Sequence, residues 1–487
     1  MNSSIIRYIL GNVMRMEACF LLLPCIVSLV YGEGVGLYYL GTAIVCLVFG
    51  VVMAWKKPKN YVFYLKEGCI ATSLSWIVMS LVGCMPFWIS GEIPSFTDAM
   101  FETVSGFTTT GASILTNVEA LSHTALFWRS FTHWIGGMGV LVFLLAIIPL
   151  SGGSNINLMR AESPGPSVGK LVPKMKYTAR ILYIIYFGMT ILEFIFLIIG
   201  KMPVFDSICT AVGTAGTSGV KNDSLGSYSP YLQWVVAIFM ILFGVNFNAY
   251  YYIIYRHFKK AFKMEEVRCY FAIILIATAI IFANILDRCV SIFDALTKSV
   301  FQVASLITST GFSSTDFNLW PQICRTVLVL IMFIGACAGS TGGGIKVSRV
   351  IVLFKTMIKE LHSYIHPKSI RKVNLDGKPV EHEIVRSINV YIVTFVIIFA
   401  SSVFMVAFDG KDLVTNFTAV LTTINNMGPG LAEVGPTGNF SNFSVFSKFV
   451  FMFDMLAGRL ELFPLLILFH PSAWKDLISK RAEARKF

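Results

Sequence analysis

Apolar residues run along this chain in long stretches broken by short polar connections, with no strand-like alternation. Ten stretches are long enough to cross a bilayer, which takes roughly 20 apolar residues. They fall near 5–30, 36–54, 68–89, 124–150, 181–200, 231–255, 270–286, 322–338, 387–407 and 445–470. Four of the connections, 91–123, 202–230, 288–321 and 408–444, are too long and too apolar for simple loops. Each opens on a short apolar segment, such as Phe96 to Phe107 or Phe293 to Ile307, too short to span. A half-helix that enters the membrane and returns as extended backbone fits that length. Such backbone is tolerated at membrane depth only where it lines a water-filled path or is buried in protein.

Inside these connections lie four glycine-ending segments: Thr108-Thr109-Thr110-Gly111, Gly213-Thr214-Ala215-Gly216, Thr308-Ser309-Thr310-Gly311 and Asn425-Asn426-Met427-Gly428. Six residues before each glycine stands a hydroxyl (Ser105, Thr210, Ser305, Thr422), and two before it a small polar residue. Phe101 and Phe301 each lie ten residues before their glycine. The spacings of 105, 95 and 117 residues fit one unit of helix, half-helix, filter strand and helix. The expected fold is an all-α integral membrane protein with ten transmembrane helices. Two N-terminal helices (1–60) precede four pseudo-fourfold repeats at 61–160, 161–262, 263–378 and 379–487. A helix-packing role for the glycines would serve for one or two of them, not for four in the same kind of connection.

Composition agrees with lipid as the solvent. Hydrophobic residues make up 55% of the chain and charged residues 14%, and the mean hydropathy is +0.71. Soluble domains carry about a quarter charged residues. The first apolar stretch follows only Arg7 and lacks a convincing cleavage site, so it reads as a retained helix. Basic residues cluster in every second connection: Lys56 to Lys66, Arg160 to Arg180, Arg256 to Arg268, Lys346 to Lys378 and Lys475 to Lys486. The positive-inside rule then puts both termini in the cytoplasm and accounts for most of the net charge of +12. No basic soluble face with exposed aromatics suggests nucleic acid. The ten cysteines include no C-x-x-C pair, and the seven histidines are scattered. Acids and histidines show none of the clustering an integral-membrane enzyme needs. An inverted-repeat carrier is disfavoured because all four half-helices enter from one side.

The chemistry suggested is carriage of a dehydrated cation. Backbone carbonyls can replace a hydration shell without a fixed charge that would hold the ion too long, and glycine permits the required positive φ. The candidate ion-coordinating residues are Thr109, Thr110, Gly111, Thr214, Ala215, Gly216, Ser309, Thr310, Gly311, Asn426, Met427 and Gly428. Asp98, Asp206, Asp294 and Asp412 stand at or near the half-helix starts and read as N-caps.

Two further features lie in the apolar stretches. Gly335 to Gly344 holds five glycines and cannot form a firm helix. No Walker pattern makes it a nucleotide cradle. Arg459 sits inside the last apolar stretch, where a charge faces a cavity or a partner. Glu461, two residues on, points to another side of a helix, while a partner in Asp454 or snorkelling stays open. The segment 359–386 contains Leu375-Asp376-Gly377-Lys378, a turn sequence suited to a small cytoplasmic hairpin.

TTTGAS, ITSTGFSSTDF, INNMGPGL and MLAGRLELF resemble the TrkH/TrkG branch of the Trk/Ktr/HKT potassium-transport superfamily, over essentially the whole chain. The resemblance implies potassium uptake across the bacterial inner membrane, with potassium as the transported ion. It implies a homodimer whose subunits each hold a pore, and a cytoplasmic TrkA-type nucleotide-binding ring as regulator. It also makes Gly339, Ser340, Thr341, Gly342, Gly343 and Gly344 a movable gate and Arg459 a positive barrier in the ion path. A packing kink is the alternative for the loop. The hairpin would touch the regulatory ring, or its basic residues simply face anionic lipid. Ala112, Thr217 and Pro429 stand where phenylalanine often follows the filter glycine, which predicts looser selectivity over sodium. A sodium-conducting or sodium-coupled transporter of the same fold is the alternative function.

Overall fold

The computed structural model describes residues 2–58, 64–139, 175–217, 225–368 and 371–474. Lys59, Arg160, Lys170, Lys174, Asp223 and the Lys475 to Lys486 cluster lie outside the described residues, as does the part of the 124–150 stretch beyond 139. The leading pair is α1 (Ser3–Phe20) with α2 (Leu22–Tyr31), then α3 (Gly36–Ala54). The first stretch breaks at Leu21 because Pro24 carries no N–H to donate to the Phe20 carbonyl and its ring crowds that group. α1 and α3 meet through glycines. A Cβ on Gly11 would lie 2.9 Å from the Gly50 carbonyl, and one on Gly50 2.8 Å from that of Gly11. Small residues permit this close backbone approach.

The rest of the described chain is almost wholly helical. It runs α4 (Leu65–Gly83) and α5 (Met85–Ile89), α6 (Phe96–Phe107), α7 (His123–Met138). Next come α8 (Met175–Ile199), α9 (Val204–Ala215), α10 (Pro230–Phe243) and α11 (Phe247–Ile254). After α12 (Phe258–Lys263) come α13 (Glu265–Ile285), α14 (Ile292–Ile307) and α15 (Gln322–Ile334). α16 (Val347–Ile365) and a hairpin lead into α17 (His382–Val406), α18 (Leu413–Ile424), α19 (Val445–Arg459) and α20 (Phe463–Phe469). Six helical segments among the described residues are long and apolar enough to span a membrane, or seven if the bent α10–α11 pair counts as one. Side chains such as Leu29 and Val290 stand exposed on the outside. The chain is a multi-pass membrane protein.

Three more of the apolar stretches are less continuous than the sequence suggests. The 231–255 stretch bends by 93° between α10 and α11, where Gly244 closes one helix and the Asn246 carboxamide caps the next by accepting from Asn248 N at 2.9 Å. The 322–338 stretch ends at Ile334, because Gly335 takes φ 73 and ψ −162, a region closed to L side chains. The 445–470 stretch breaks after Arg459, with Glu461 and Leu462 at positive φ.

The half-helix starts also differ from expectation. Asp412 does cap α18, accepting from Thr415 N at 3.1 Å. In α6 and α14 the caps are Ser95 and Ser291, which accept from the amides of Asp98 and Asp294. Asp206 likewise sits within the first turn of α9, behind Pro203. The Leu375-Asp376-Gly377-Lys378 segment forms the hairpin turn. β1 (Asn374–Leu375) pairs antiparallel with β2 (Lys378–Pro379), with Asp376 at φ 52 and Gly377 at φ 76, the double positive φ of a type I′ turn.

Candidate functional site

Three of the half-helices end in the same backbone device. In α6, Thr109 N donates to Gly106 O at 3.0 Å and Thr110 N to Ser105 O at 2.9 Å, with Thr109 at φ 55. In α14, Ser309 N reaches Leu306 O at 3.2 Å and Thr310 N reaches Ser305 O at 2.8 Å, with Ser309 at φ 58. In α18, Asn426 N reaches Thr423 O at 3.2 Å and Met427 N reaches Thr422 O at 2.8 Å, with Asn426 at φ 54. These are Schellman closures, which use up orphan carbonyls at a helix end. Glycine is the usual occupant of the left-handed position, and a threonine, serine or asparagine there is backbone strain of the kind found at functional sites. Gly111, Gly311 and Gly428 follow two residues later at φ 77, 80 and 87.

The second repeat carries this turn three residues later than the sequence spacing suggested. α9 ends at Ala215, and Gly216 is its C-cap at φ −74. Thr217 takes φ 50 and donates its N–H to Thr214 O at 3.0 Å. Gly216 therefore matches Thr108, Thr308 and Asn425, and Thr217 matches Thr109, Ser309 and Asn426. Thr214 and Ala215 belong to the last turn of the half-helix. A Cβ on Gly216 would lie 2.5 Å from the His133 carbonyl carbon, so this glycine serves packing. Ser218 and Gly219, which continue the register in sequence, lie outside the described residues.

Three of the turns touch one another. A Cβ on Gly428 would stand 2.9 Å from the Thr110 carbonyl oxygen and 3.1 Å from that of Gly111, and one on Gly311 would stand 2.7 Å from Met427 O. Glycine is thus required by close approach as well as by φ. Gly111, Gly311 and Gly428 line one small cavity of about 60 Å³, together with Phe312, Pro429 and Phe440. The turn residues are almost wholly buried. Side chains add lateral ties: Thr108 and Thr110 hydroxyls are 2.8 Å apart, and those of Thr308 and Thr310 2.7 Å. The Asn426 amide donates to Thr110 Oγ1 and to Met455 O, both at 2.9 Å. Of the hydroxyls six residues back, Ser305 braces the returning strand by donating to Phe312 O at 2.5 Å, whereas Thr422 bonds Ala419 O within its own helix.

The glycine-rich segment lies against the helix-side ends of these turns. Gly344 N donates to Asn425 O at 3.0 Å and Gly343 N to Ser309 Oγ at 2.5 Å. A Cβ on Gly342 would meet Thr308 O at 2.7 Å. The Thr217 hydroxyl donates to Thr341 O at 3.2 Å. Further down, Gly339 O accepts from Phe247 N at 3.1 Å, and the Ser340 hydroxyl donates to Cys337 O at 2.6 Å. Arg459 joins the loop to α7: its guanidinium donates to Thr341 O at 3.2 Å, to Gly137 O at 2.8 Å and to Gly136 O, and stands over the Trp76 ring. Glu461 pairs with Arg349 of α16.

A TrkH family model, described as cation transport protein, matches residues 39–476. The chain belongs to the TrkH family. It is 34% identical over 484 residues to the Trk system potassium uptake protein TrkH of Salmonella typhimurium, covering 97% of this chain and 99% of that one. It is 30% identical to the Trk system potassium uptake protein TrkG of Escherichia coli over 488 residues, covering 98% and 100%. The crystal structure of the potassium transporter TrkH from Vibrio parahaemolyticus superposes with a TM-score of 0.88 at 30% identity, covering 97% of this chain and all of that one.

Several residues packed around these segments carry no motif that sequence reading could single out. Glu102, paired with Arg129, accepts from Ile114 N at 3.1 Å just after the first turn. Glu266 accepts from Ala338 N within the glycine-rich segment and from Ser348 N at the start of α16. The buried Lys346 ammonium donates to Gly342 O. A charge bordering an otherwise apolar run was the available signal for Glu266 and Lys346, and a charged pair between a half-helix and its following helix for Glu102.

Proposed function

We propose that this chain takes up potassium through a pore whose filter is a ring of backbone carbonyls at the four half-helix ends. The coordinating segments are Thr109–Gly111, Ser309–Gly311, Asn426–Gly428 and, in the second repeat, the segment that begins at Thr217. On this reading four parallel repeats in pseudo-fourfold order would set these segments around one axis. The observation that carries the reading is the same strained Schellman turn at three half-helix ends, with the left-handed Thr217 at the fourth, and three turns in contact whose glycines line one cavity. Helix C-termini directed at a site add partial negative charge that favours a cation. Glycine-loop contacts beneath the turns support Gly339 to Gly344 as the gate, and the three Arg459 contacts support a positive barrier held beside it. The names of the relatives support potassium as the ion. The working assembly would be a homodimer in the inner membrane, both termini cytoplasmic, regulated by a TrkA-type nucleotide-binding ring.

The test is growth at low potassium of a strain lacking its own uptake systems, with Gly111→Ser and Gly311→Ser as controls. Wild-type chain rescues growth and both variants fail. Rescue that survives both substitutions removes the filter from the proposal.

A further inference from the structure

The glycine-rich loop needs something to hold it under the filter, and its backbone cannot do so alone. Five glycines between Gly335 and Gly344 leave it few side chains to pack, and glycine has the most conformational freedom to lose. Its upper contacts are neutral hydrogen bonds to Asn425 O and Ser309 Oγ. Its base is different. Glu266, 5% exposed in the first turn of α13, accepts from Ala338 N at 2.6 Å and from Ser348 N at 3.2 Å, both through Oε1. One carboxylate oxygen thus cinches the chain entering the loop to the chain leaving it. Oε2 accepts from the Asn246 amide at 3.1 Å. Asn246 caps α11 at the 93° bend, and the next residue, Phe247, donates to Gly339 O. Hydrogen bonds to a charged acceptor are roughly twice as strong as neutral ones.

The neighbouring carboxylate looks the other way. Glu265 pairs with Lys355 of α16, whose ammonium also donates to Asn374 O at 2.8 Å in β1. The Glu265 amide donates to Asp376 Oδ1 at 2.6 Å, in the hairpin turn. Val352, Val373 and Ile388 form a buried cluster that seats the same hairpin on α16 and α17. Two adjacent residues therefore join the hairpin on one side to the loop on the other.

We propose that Glu266 is the positioning residue that latches the glycine-rich loop closed, and that Glu265 couples this latch to the β1–β2 hairpin, so that displacing the hairpin releases the loop. The proposal rests on the gate reading of the loop given above. It adds the residue that holds the gate and the surface from which it is released.

Cys337, fully buried inside the loop, reports on release without any ion flux. Cys46, buried between α1 and α3 with its thiol on Met14 O, reports on the fold. The purified full chain in proteoliposomes is labelled with a water-soluble maleimide, and each cysteine is followed by peptide mass spectrometry. Asp376→Gly, which keeps the positive-φ turn but removes the acceptor, should speed Cys337 labelling by about tenfold, the scale of one lost charge-assisted hydrogen bond. Glu266→Ala, which removes the acceptor of three, should speed it by more than that. Cys46 stays protected, potassium leak rises, and the potassium-to-sodium ratio does not move. The double variant should do no more than the larger single, because both act on one latch. Unchanged Cys337 labelling in Glu266→Ala with Cys46 protected overturns the latch. Effects that multiply in the double variant overturn the coupling. Should Glu266→Ala expose Cys46, Glu266→Gln decides, since it keeps the shape and one acceptor oxygen. Faster Cys337 labelling then upholds the latch, and an unchanged rate overturns it. A wild-type chain that carries no potassium defeats the proposed function, while the labelling still decides the latch.

Discussion

Glu102→Gln tests how the first filter turn is held in place. The Glu102 carboxylate and the Arg129 guanidinium pair almost wholly out of solvent. The same carboxylate accepts from Ser113 Oγ at 3.2 Å and Ile114 N at 3.1 Å, so it ties the strand leaving Gly111 to α7. Glutamine keeps the shape and one acceptor oxygen but leaves the guanidinium buried without its counter-charge. Breaking such a pair from one side costs about 3–5 kcal/mol, much of it the orphaned charge. Glu102→Gln with Arg129→Met removes the orphan as well, so the double variant should recover about 2 kcal/mol or more of that loss. Unfolding in detergent measures the recovery, and potassium and sodium fluxes in proteoliposomes measure the filter. The ratio of the two fluxes should fall in the single variant, because the one remaining acceptor oxygen cannot serve both the guanidinium and the strand. Equal stability of the single and double variants, with an unchanged flux ratio, would refute the reasoning.

Three other outcomes follow from the geometry. Arg459→Ala removes the donors to Thr341, Gly136 and Gly137 and should raise potassium flux at equal expression; unchanged flux defeats the barrier. Gly216→Ala should reduce the amount of folded protein, because its Cβ meets His133 backbone, yet leave the ion ratio of what remains unaltered. A changed ratio would instead put Gly216 in the filter. Partial burial works to raise the Glu33 carboxyl, but hydrogen bonds from Thr124 and His123 outweigh it and hold it below its ordinary value. A depressed carboxylate contributes stability that is complete above the unfolded value, about pH 4.3, and is lost as pH falls through the folded one. Wild-type protein should therefore lose unfolding temperature more steeply than Glu33→Gln on acidification below that value; parallel curves would remove Glu33 from the account.

Periodicity made the membrane class and the half-helices legible, since the Phe96 to Phe107 stretch emerges with those bounds. It could not locate the second turn. Gly216 and Gly219 are three residues apart, and a hydroxyl count alone chose the first. What separates them is backbone conformation: Gly216 is an ordinary right-handed helix end, and the left-handed residue is Thr217. The bend after Phe243 escaped for a related reason. Apolar residues continue on both sides of it, so hydropathy reads one helix, while the cap signal at Asn246 is a single side chain. Glu266 and Glu102 act through contacts with segments tens of residues away or across a turn, and nothing local marks an acceptor whose donors are backbone amides.

The distribution of bond types around the loop argues that filter and gate are separable. Where the loop meets the turns, its Gly343 and Gly344 amides make neutral hydrogen bonds, each worth about 1 kcal/mol net. Water entering an open pore would replace most of that. At the base and side, the loop is held by the Glu266 carboxylate, the Lys346 ammonium and the Arg459 guanidinium. Bonds to charged groups contribute about 1.5–3 kcal/mol each, and orphaning a buried charge costs more still. If the loop is the proposed gate, its closed state is governed from below the proposed filter, on the side that carries the hairpin. Substitutions among the turn glycines should change which ion passes, and substitutions among the three charges should change how often any ion passes.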